Sequence, residues 1–153
     1  MAVNVNQLFE MLSWESDEDI QQRGLEEAAN VKYLSIFLRP IEGKHLWENC
    51  ARVLANKTDE ELELYLPWMF EWLKDANWPG FDTIFKRLQG MGAPFIASEY
   101  QYAIQKALQC MDEMWLTWMS GLTSNQALLN LLSPDQQKLM EKYRKRGWGP
   151  QEE

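Results

Sequence analysis

The sequence predicts an all-α protein built from stacked pairs of short helices. Apolar residues recur three and four positions apart along most of the chain, which is the helical period. Alternating β-branched runs, which would predict strands, are nearly absent. Tryptophan opens similar apolar helix faces at positions 47, 78 and 115, and each step of 31 or 37 residues holds two helices. Repeats of this length typically form a short superhelix, here of three to four helix pairs, in which each pair covers its neighbour's apolar face.

The N-terminal elements are short and separated by loops. Residues 5–12 carry apolar side chains at helical spacing. Ser16 is expected to cap a second helix, whose acidic first turn the helix dipole would stabilise. An apolar segment over 31–38 ends before Pro40, which stops a helix. A third helix is expected over 44–55, where Trp47 begins an apolar face.

The central elements carry clear start and stop signals. Thr58 and Glu61 form a capping box ahead of a helix that Pro67 should kink or split. Pro79 is expected in the first turn of the next helix, and Gly90 should end it.

The C-terminal elements follow the same logic. Pro94 is expected to open a longer helix and Asp112 the one after it. A short apolar helix should cover 126–132, and Ser133 should begin the last helix. We assign residues 1–146 to one domain and 147–153 to a frayed tail.

Composition excludes several function classes. The 153 residues include 15 Lys and Arg against 23 Asp and Glu, a net charge of −8. Nucleic-acid backbones and anionic membranes both need positive charge, so neither is expected as the main partner. No apolar run approaches the length of a membrane span, and the start lacks a secretory signal, which favours a cytoplasmic protein. Residues 1–75 hold 15 acids and 7 bases, and could steer a basic protein partner.

No catalytic, cofactor-binding or metal-binding residue is predicted. His45 is the only histidine and has no cysteine or second histidine near it in the sequence, so a surface or capping role is expected. The acidic runs at 17–19 and 59–61 fall in predicted first turns, where the helix dipole accounts for them. Cys50 and Cys110 are expected to be reduced and buried, with one disulfide between them as the alternative.

One stretch carries more information than the rest. Residues 71–80 read Glu-Trp-Leu-Lys-Asp-Ala-Asn-Trp-Pro-Gly, and residues 112–118 read Asp-Glu-Met-Trp-Leu-Thr-Trp. Together they resemble an uncharacterised bacterial domain family marked by a Trp-Leu-x-Asp-x-Asn-Trp-Pro turn and a later Asp-Asp/Glu-x-Trp-x-x-Trp helix. The acidic helix over 16–28 is similar, more generically, to the first helix of a HEAT-type repeat. The resemblance implies a HEAT-like α-superhelix and no established reaction. Its bacterial setting makes an immunity protein of a toxin system one assignment.

The turn over 72–79 has two interpretations. In the structural one, Asp or Asn bonds backbone N–H groups and Trp docks the turn. In the functional one, the turn belongs to a recognition surface. The residues predicted to form that protein-binding surface are Trp68, Trp72, Asp75, Asn77, Trp78, Asp112, Glu113 and Trp115.

The leading functional hypothesis is non-enzymatic protein binding. An acidic groove between successive helices, anchored by Trp and Tyr, would take a protein partner, and the sharpest version is an immunity protein that neutralises a basic toxin. Two alternatives stay open. A HEAT-like DNA-lesion glycosylase, or another nucleic-acid-acting protein, would need a basic groove. A small enzyme with carboxylate chemistry would need two carboxylates with opposed pKa shifts in one pocket.

Overall fold

The helical prediction is confirmed by the computed structural model, which describes residues 4–148 and contains no strand among them. The α-helices are α1 (Val5–Leu12), α2 (Glu18–Ala28), α3 (Trp47–Ala55), α4 (Asp59–Leu62), α5 (Leu66–Glu71), α6 (Phe81–Gln89), α7 (Ala93–Gln109), α8 (Glu113–Ser120), α9 (Gln126–Asn130) and α10 (Pro134–Gly147). Short 3-10 turns cover Leu34–Phe37, Lys44–Leu46, Glu63–Tyr65, Trp72–Lys74 and Gly121–Ser124. Within the described part of the chain, no helix has both the length and the apolar character needed to cross a bilayer.

Local capping signals place several helix starts as predicted. The Thr58 hydroxyl accepts a hydrogen bond from the Glu61 N–H at 3.1 Å, and the Glu61 carboxylate accepts one from the Thr58 N–H at 3.0 Å. Ser133 forms the equivalent box with Gln136 at the start of α10. Pro67 lies in the first turn of α5, so the predicted helix is split there into α4 and α5.

Two predicted starts are wrong by one or two residues. The N-cap of α2 is Asp17, because the Ser16 hydroxyl instead donates to the Glu10 carbonyl at 2.6 Å and closes the end of α1. Pro79 lies before α6, whose N-cap is Gly80 in the left-handed region at φ 87°. The carboxylate that caps this helix belongs to Glu48 on α3.

Helices pack both on their neighbours in sequence and on helices further along the chain. α1 packs on α2, α2 on α3, α3 on α6, α5 on α7, α7 on α8 and α8 on α10. Their apolar faces meet in one core that runs from α1 to α10. Each short helix therefore covers part of its neighbour, and none buries its apolar face alone.

The two cysteines differ in environment. Cys50 lies in the core, as expected, and burial, with a smaller contribution from the charge of Glu42, raises its pKa to about 12. Cys110 is exposed, which contradicts the expectation, because it follows the last residue of α7 where that helix leaves the core. Both are free thiols.

The packed structure continues past the boundary predicted at residue 146. Gly147 is the last residue of α10, and the Trp148 ring stacks on Phe85 with centroids 5.1 Å apart. The Trp148 indole N–H also donates to the Thr117 carbonyl at 2.9 Å. The rest of the expected frayed tail, 149–153, lies outside the described residues.

Candidate protein-binding surface

The turn over 72–79 is held by its own hydrogen bonds. The buried Trp72 indole donates to the Pro79 carbonyl at 3.0 Å and spans the turn. The Asp75 carboxylate accepts from the Asn77 N–H at 2.8 Å, which makes an Asx turn. These bonds match the structural interpretation of the motif, because they explain Trp72 and Asp75 at this spacing without any ligand.

Two of the predicted surface residues lie in the core. Trp72 is 0% exposed and Trp115 is 1% exposed. The Trp115 indole donates to the Phe70 carbonyl at 2.8 Å, so each ring has a backbone partner for its N–H. A tryptophan with that hydrogen bond satisfied is stable in an apolar core, and neither ring can contact a partner protein in this structure.

The remaining predicted residues lie at the surface in two places. Trp68 is 48% exposed on α5, and Asn77 is exposed in the turn. Trp78 is half-buried, with its ring edge-on to Trp47 at 5.5 Å and under the Arg39 guanidinium at 5.0 Å. The half-buried Asp75 lies beside it in the turn.

Asp112 and Glu113 serve the start of α8. The Asp112 carboxylate accepts from the Trp115 N–H at 3.0 Å and is the N-cap. Glu113 is exposed and pairs with Arg146 at 3.5 Å. The structure joins this helix start to the 72–79 turn through Lys74, whose ammonium lies 4.7 Å from the Trp115 ring centre.

The sequence did not predict a cluster of cations around Glu71. The Glu71 carboxylate accepts from Arg39 at 3.2 Å and from Lys106 at 2.9 Å. Burial by itself would raise the Glu71 pKa, but the hydrogen bond and charge of Lys106, with the charges of Lys74 and Arg39, hold that pKa below its usual range. We call Arg39, Lys74 and Lys106 the cationic cluster; it sets three positive charges against one carboxylate.

A cleft of about 620 Å³ opens between the end of α1, the loop that follows it and the 3-10 turn at Lys44–Leu46. We call it the acidic cleft, because its lining includes Glu10, Glu15 and Glu42. Among the described residues that line it, there is no Lys or Arg. His45 also lies on its wall. The three glutamates are scattered along the chain, so no acidic run in the sequence marks them.

A second depression adjoins the acidic cleft. We call it the apolar groove; it measures about 270 Å³ and its walls include Val5, Leu38 and Ile41. Phe9 and Glu42 line both depressions, so the two form one continuous surface. Ile41 is 98% exposed and Val5 is 39% exposed. Exposed aliphatic side chains grouped beside a charged cleft are typical of interaction surfaces.

Metal chemistry finds no support in the described residues. Within residues 4–148, no three His, Cys, Asp or Glu side chains come close enough to hold a metal ion together. The carboxylates of the acidic cleft are spread over its walls and do not converge on one point.

A family model for a domain of unknown function (DUF5071) matches residues 44–143, about two thirds of the chain. The chain belongs to the DUF5071 family. The matched segment includes the Trp-rich turn at 71–80 and the Trp-containing helix start at 112–118. No curated protein and no solved structure matches the chain. Glu71, Lys74 and Lys106 lie inside the DUF5071 segment, whereas Arg39 and the three glutamates of the acidic cleft precede it.

Proposed function

We propose that this protein is a non-enzymatic binding module whose acidic cleft takes a basic segment of a protein partner. The observation that carries the proposal is the lining of that cleft. Glu10 on α1 and Glu15 in the loop after it meet Glu42, which precedes the Lys44–Leu46 turn, in one depression, and no Lys or Arg is among the described residues that line it. Complementary fields of this kind steer encounter and fix orientation.

Exposed apolar side chains that are adjacent in sequence to two of the cleft's glutamates would add contact area to the charge of the cleft. Trp14, next to Glu15, is 53% exposed, and Ile41, next to Glu42, is 98% exposed. Tryptophan is enriched among the residues that dominate binding energy, because it buries a large area at a low entropy cost. The proposal therefore assigns the charged rim to the three glutamates and the aromatic anchor to Trp14, which precedes Glu15 in the chain.

We further propose that the sequential packing of helix pairs is of the HEAT type, and that the partner is a basic toxin of the cell that makes this protein. The packing of α1 on α2, α2 on α3 and α7 on α8 supports the first part, since solenoids join neighbours in sequence. The acidic cleft supports the second, because a protein that must neutralise a basic one gains from opposite charge.

Affinity capture from the source cell tests the proposal. The bait is the full chain, compared with a Glu15→Lys/Glu42→Lys variant that reverses charge in the cleft. We expect the unchanged protein to retain a basic protein, and the purified pair to bind about tenfold or more weakly with the variant. Raising the salt concentration should weaken the pair, because exposed charges are screened.

A Glu26→Lys/Glu27→Lys variant is the matched control. It makes the same change in net charge near the C-terminal end of α2, outside the acidic cleft, where a helix tolerates cations. Capture of acidic proteins only, or equal weakening by both double variants, would count against the acidic cleft as the binding site. Tight binding of duplex DNA at low salt would instead favour the nucleic-acid alternative.

A further inference from the structure

We propose that the partner segment is bipolar: a basic residue enters the acidic cleft, an aliphatic side chain fills the apolar groove, and an acidic residue meets the cationic cluster. This inference rests on the proposed function and adds the chemistry of the partner. It requires that the three sites form one continuous surface, that the middle is apolar, and that the far end has unused positive charge.

Shared residues show that the surface is continuous. Glu42 and Phe9 line both the acidic cleft and the apolar groove. Arg39 lines the apolar groove and also donates to Glu71 in the cationic cluster. Shared residues therefore link the first site to the second and the second to the third, and the proposal is that one extended segment covers all three.

The middle of this surface suits an aliphatic side chain. Val5, Leu38 and Ile41 form apolar walls around a space of about 270 Å³. Ile41 is almost fully in water, so covering it removes apolar area from solvent and favours binding.

The far end keeps positive charge and hydrogen-bond donors available. Glu71 neutralises one of the three cations around it, on a protein whose net charge is −8. Lys106 remains 42% exposed while bonded to Glu71, and an ammonium has three donors. The Arg39 side chain is 21% exposed and adds a second positive charge at this end. A partner carboxylate would find both charge and donors here, whereas a basic residue would be repelled.

Synthetic peptides test the bipolar arrangement with the full chain. One peptide carries two lysines and a leucine; its extended forms add a glycine spacer of increasing length and two glutamates, in both chain directions. We expect the best extended form to bind about fivefold tighter than the basic peptide. The gain is modest because the added contact is an exposed ion pair formed within a complex that already exists. Lys106→Glu and Lys106→Gln should both abolish that gain without weakening the basic peptide.

Lys138→Glu is the matched control, since Lys138 is exposed on α10 and lines none of the three sites. It should leave the gain intact. Equal affinity of basic and extended peptides at every spacer length, or a gain that survives both Lys106 variants, overturns the bipolar proposal and leaves the acidic cleft standing. If the basic peptide fails to bind and Glu42→Lys changes nothing, the proposed function fails and the bipolar proposal with it.

Discussion

Gly80 occupies a backbone position that a side chain cannot enter without strain. Its φ of 87° is in the left-handed region, and a Cβ there would lie 2.8 Å from the Trp72 ring and 2.9 Å from the Trp47 carbonyl oxygen. We expect Gly80→Ala to lower the free energy of unfolding by about 2–4 kcal/mol, since backbone strain and overpacking add. Urea denaturation followed by tryptophan fluorescence measures the change.

Gly90→Ala is the control for that substitution. Gly90 has a φ of −88°, and the atom nearest to an added methyl group would be the Lys86 carbonyl oxygen at 3.5 Å. We expect the free energy of unfolding to change by less than about 1 kcal/mol. It should rise if the main effect of alanine is to lower the conformational entropy of the unfolded chain. Similar losses from both alanines would show that the left-handed turn is not what constrains Gly80.

At the same scale, the eight tryptophans show what composition can and cannot predict. The sequence marks them as unusual but does not say which are exposed. Helical periodicity could have found Trp68, because Leu66, Met69 and Phe70 are buried on α5 and Trp68 falls on the other face. The burial of Trp115 depends on the Phe70 carbonyl, 45 residues away, so no local pattern reveals it.

Among elements, local signals were predictable and long-range ones were not. The capping boxes that begin α4 and α10 lie within four consecutive residues, so the sequence displays them. The Glu48 carboxylate caps α6 from α3 by accepting from the Gly80 N–H at 3.1 Å and the Thr83 hydroxyl at 2.8 Å. These partners are 32 and 35 residues away in sequence, so the pairing exists only once the two helices pack.

Glu71 ties three elements together and should make stability depend on pH. It joins α5 to α7 through Lys106 and to the loop before α3 through Arg39. We expect Glu71→Gln to cost about 1 kcal/mol at neutral pH, a modest value because solvent screens the partly exposed Lys106. Its folded pKa lies below the unfolded value, so this stabilisation is complete above the unfolded pKa of about 4.3 and is lost as the pH falls through the folded pKa.

Urea denaturation across the pH range measures that dependence. The difference between the natural protein and Glu71→Gln should be constant near neutral pH and shrink toward zero as the pH falls through the lowered folded pKa, below which the carboxyl is protonated in both states. The control is Glu63→Gln, on the exposed 3-10 turn Glu63–Tyr65, which should show little difference at any pH. A difference that grows on acidification would contradict the stabilising role of the Glu71 carboxylate.

Over the whole molecule, the distribution of charge was only half visible in the sequence. The excess of acidic residues in the N-terminal half can be counted in the sequence, and the acidic cleft lies in that half. The cationic cluster could not be counted, because Arg39 and Lys106 meet at Glu71 from 32 and 35 residues away. Net charge therefore indicated that the protein is negative as a whole, but it did not reveal the positive region around Glu71. The bipolar proposal depends on that positive region.

The family segment and the folding unit differ in extent, which gives a test of the whole molecule. The family match begins at residue 44, yet Leu8, Leu12 and Phe37 are buried in the same core as the matched helices. Polar contacts cross the boundary too: Lys57 donates to the Val31 carbonyl at 3.2 Å, and Asn49 donates to the Leu12 carbonyl at 2.8 Å. Cutting there would expose the apolar face of α3 and remove the carbonyl partners of Lys57 and Asn49.

We therefore expect a fragment of residues 44–143 to lack a cooperative unfolding transition, while residues 4–148 keep one. Each fully buried apolar side chain contributes about 1.5–3 kcal/mol. A domain of this size is stable by only about 5–15 kcal/mol in total, so the loss of α1, α2 and the 3-10 turn at Leu34–Phe37 should exceed what the fragment can spare. Circular dichroism during heating compares the two chains. A sharp transition of the fragment at the midpoint of the longer chain would mean that the matched segment folds by itself, and that the helices carrying much of the acidic cleft are an addition to it.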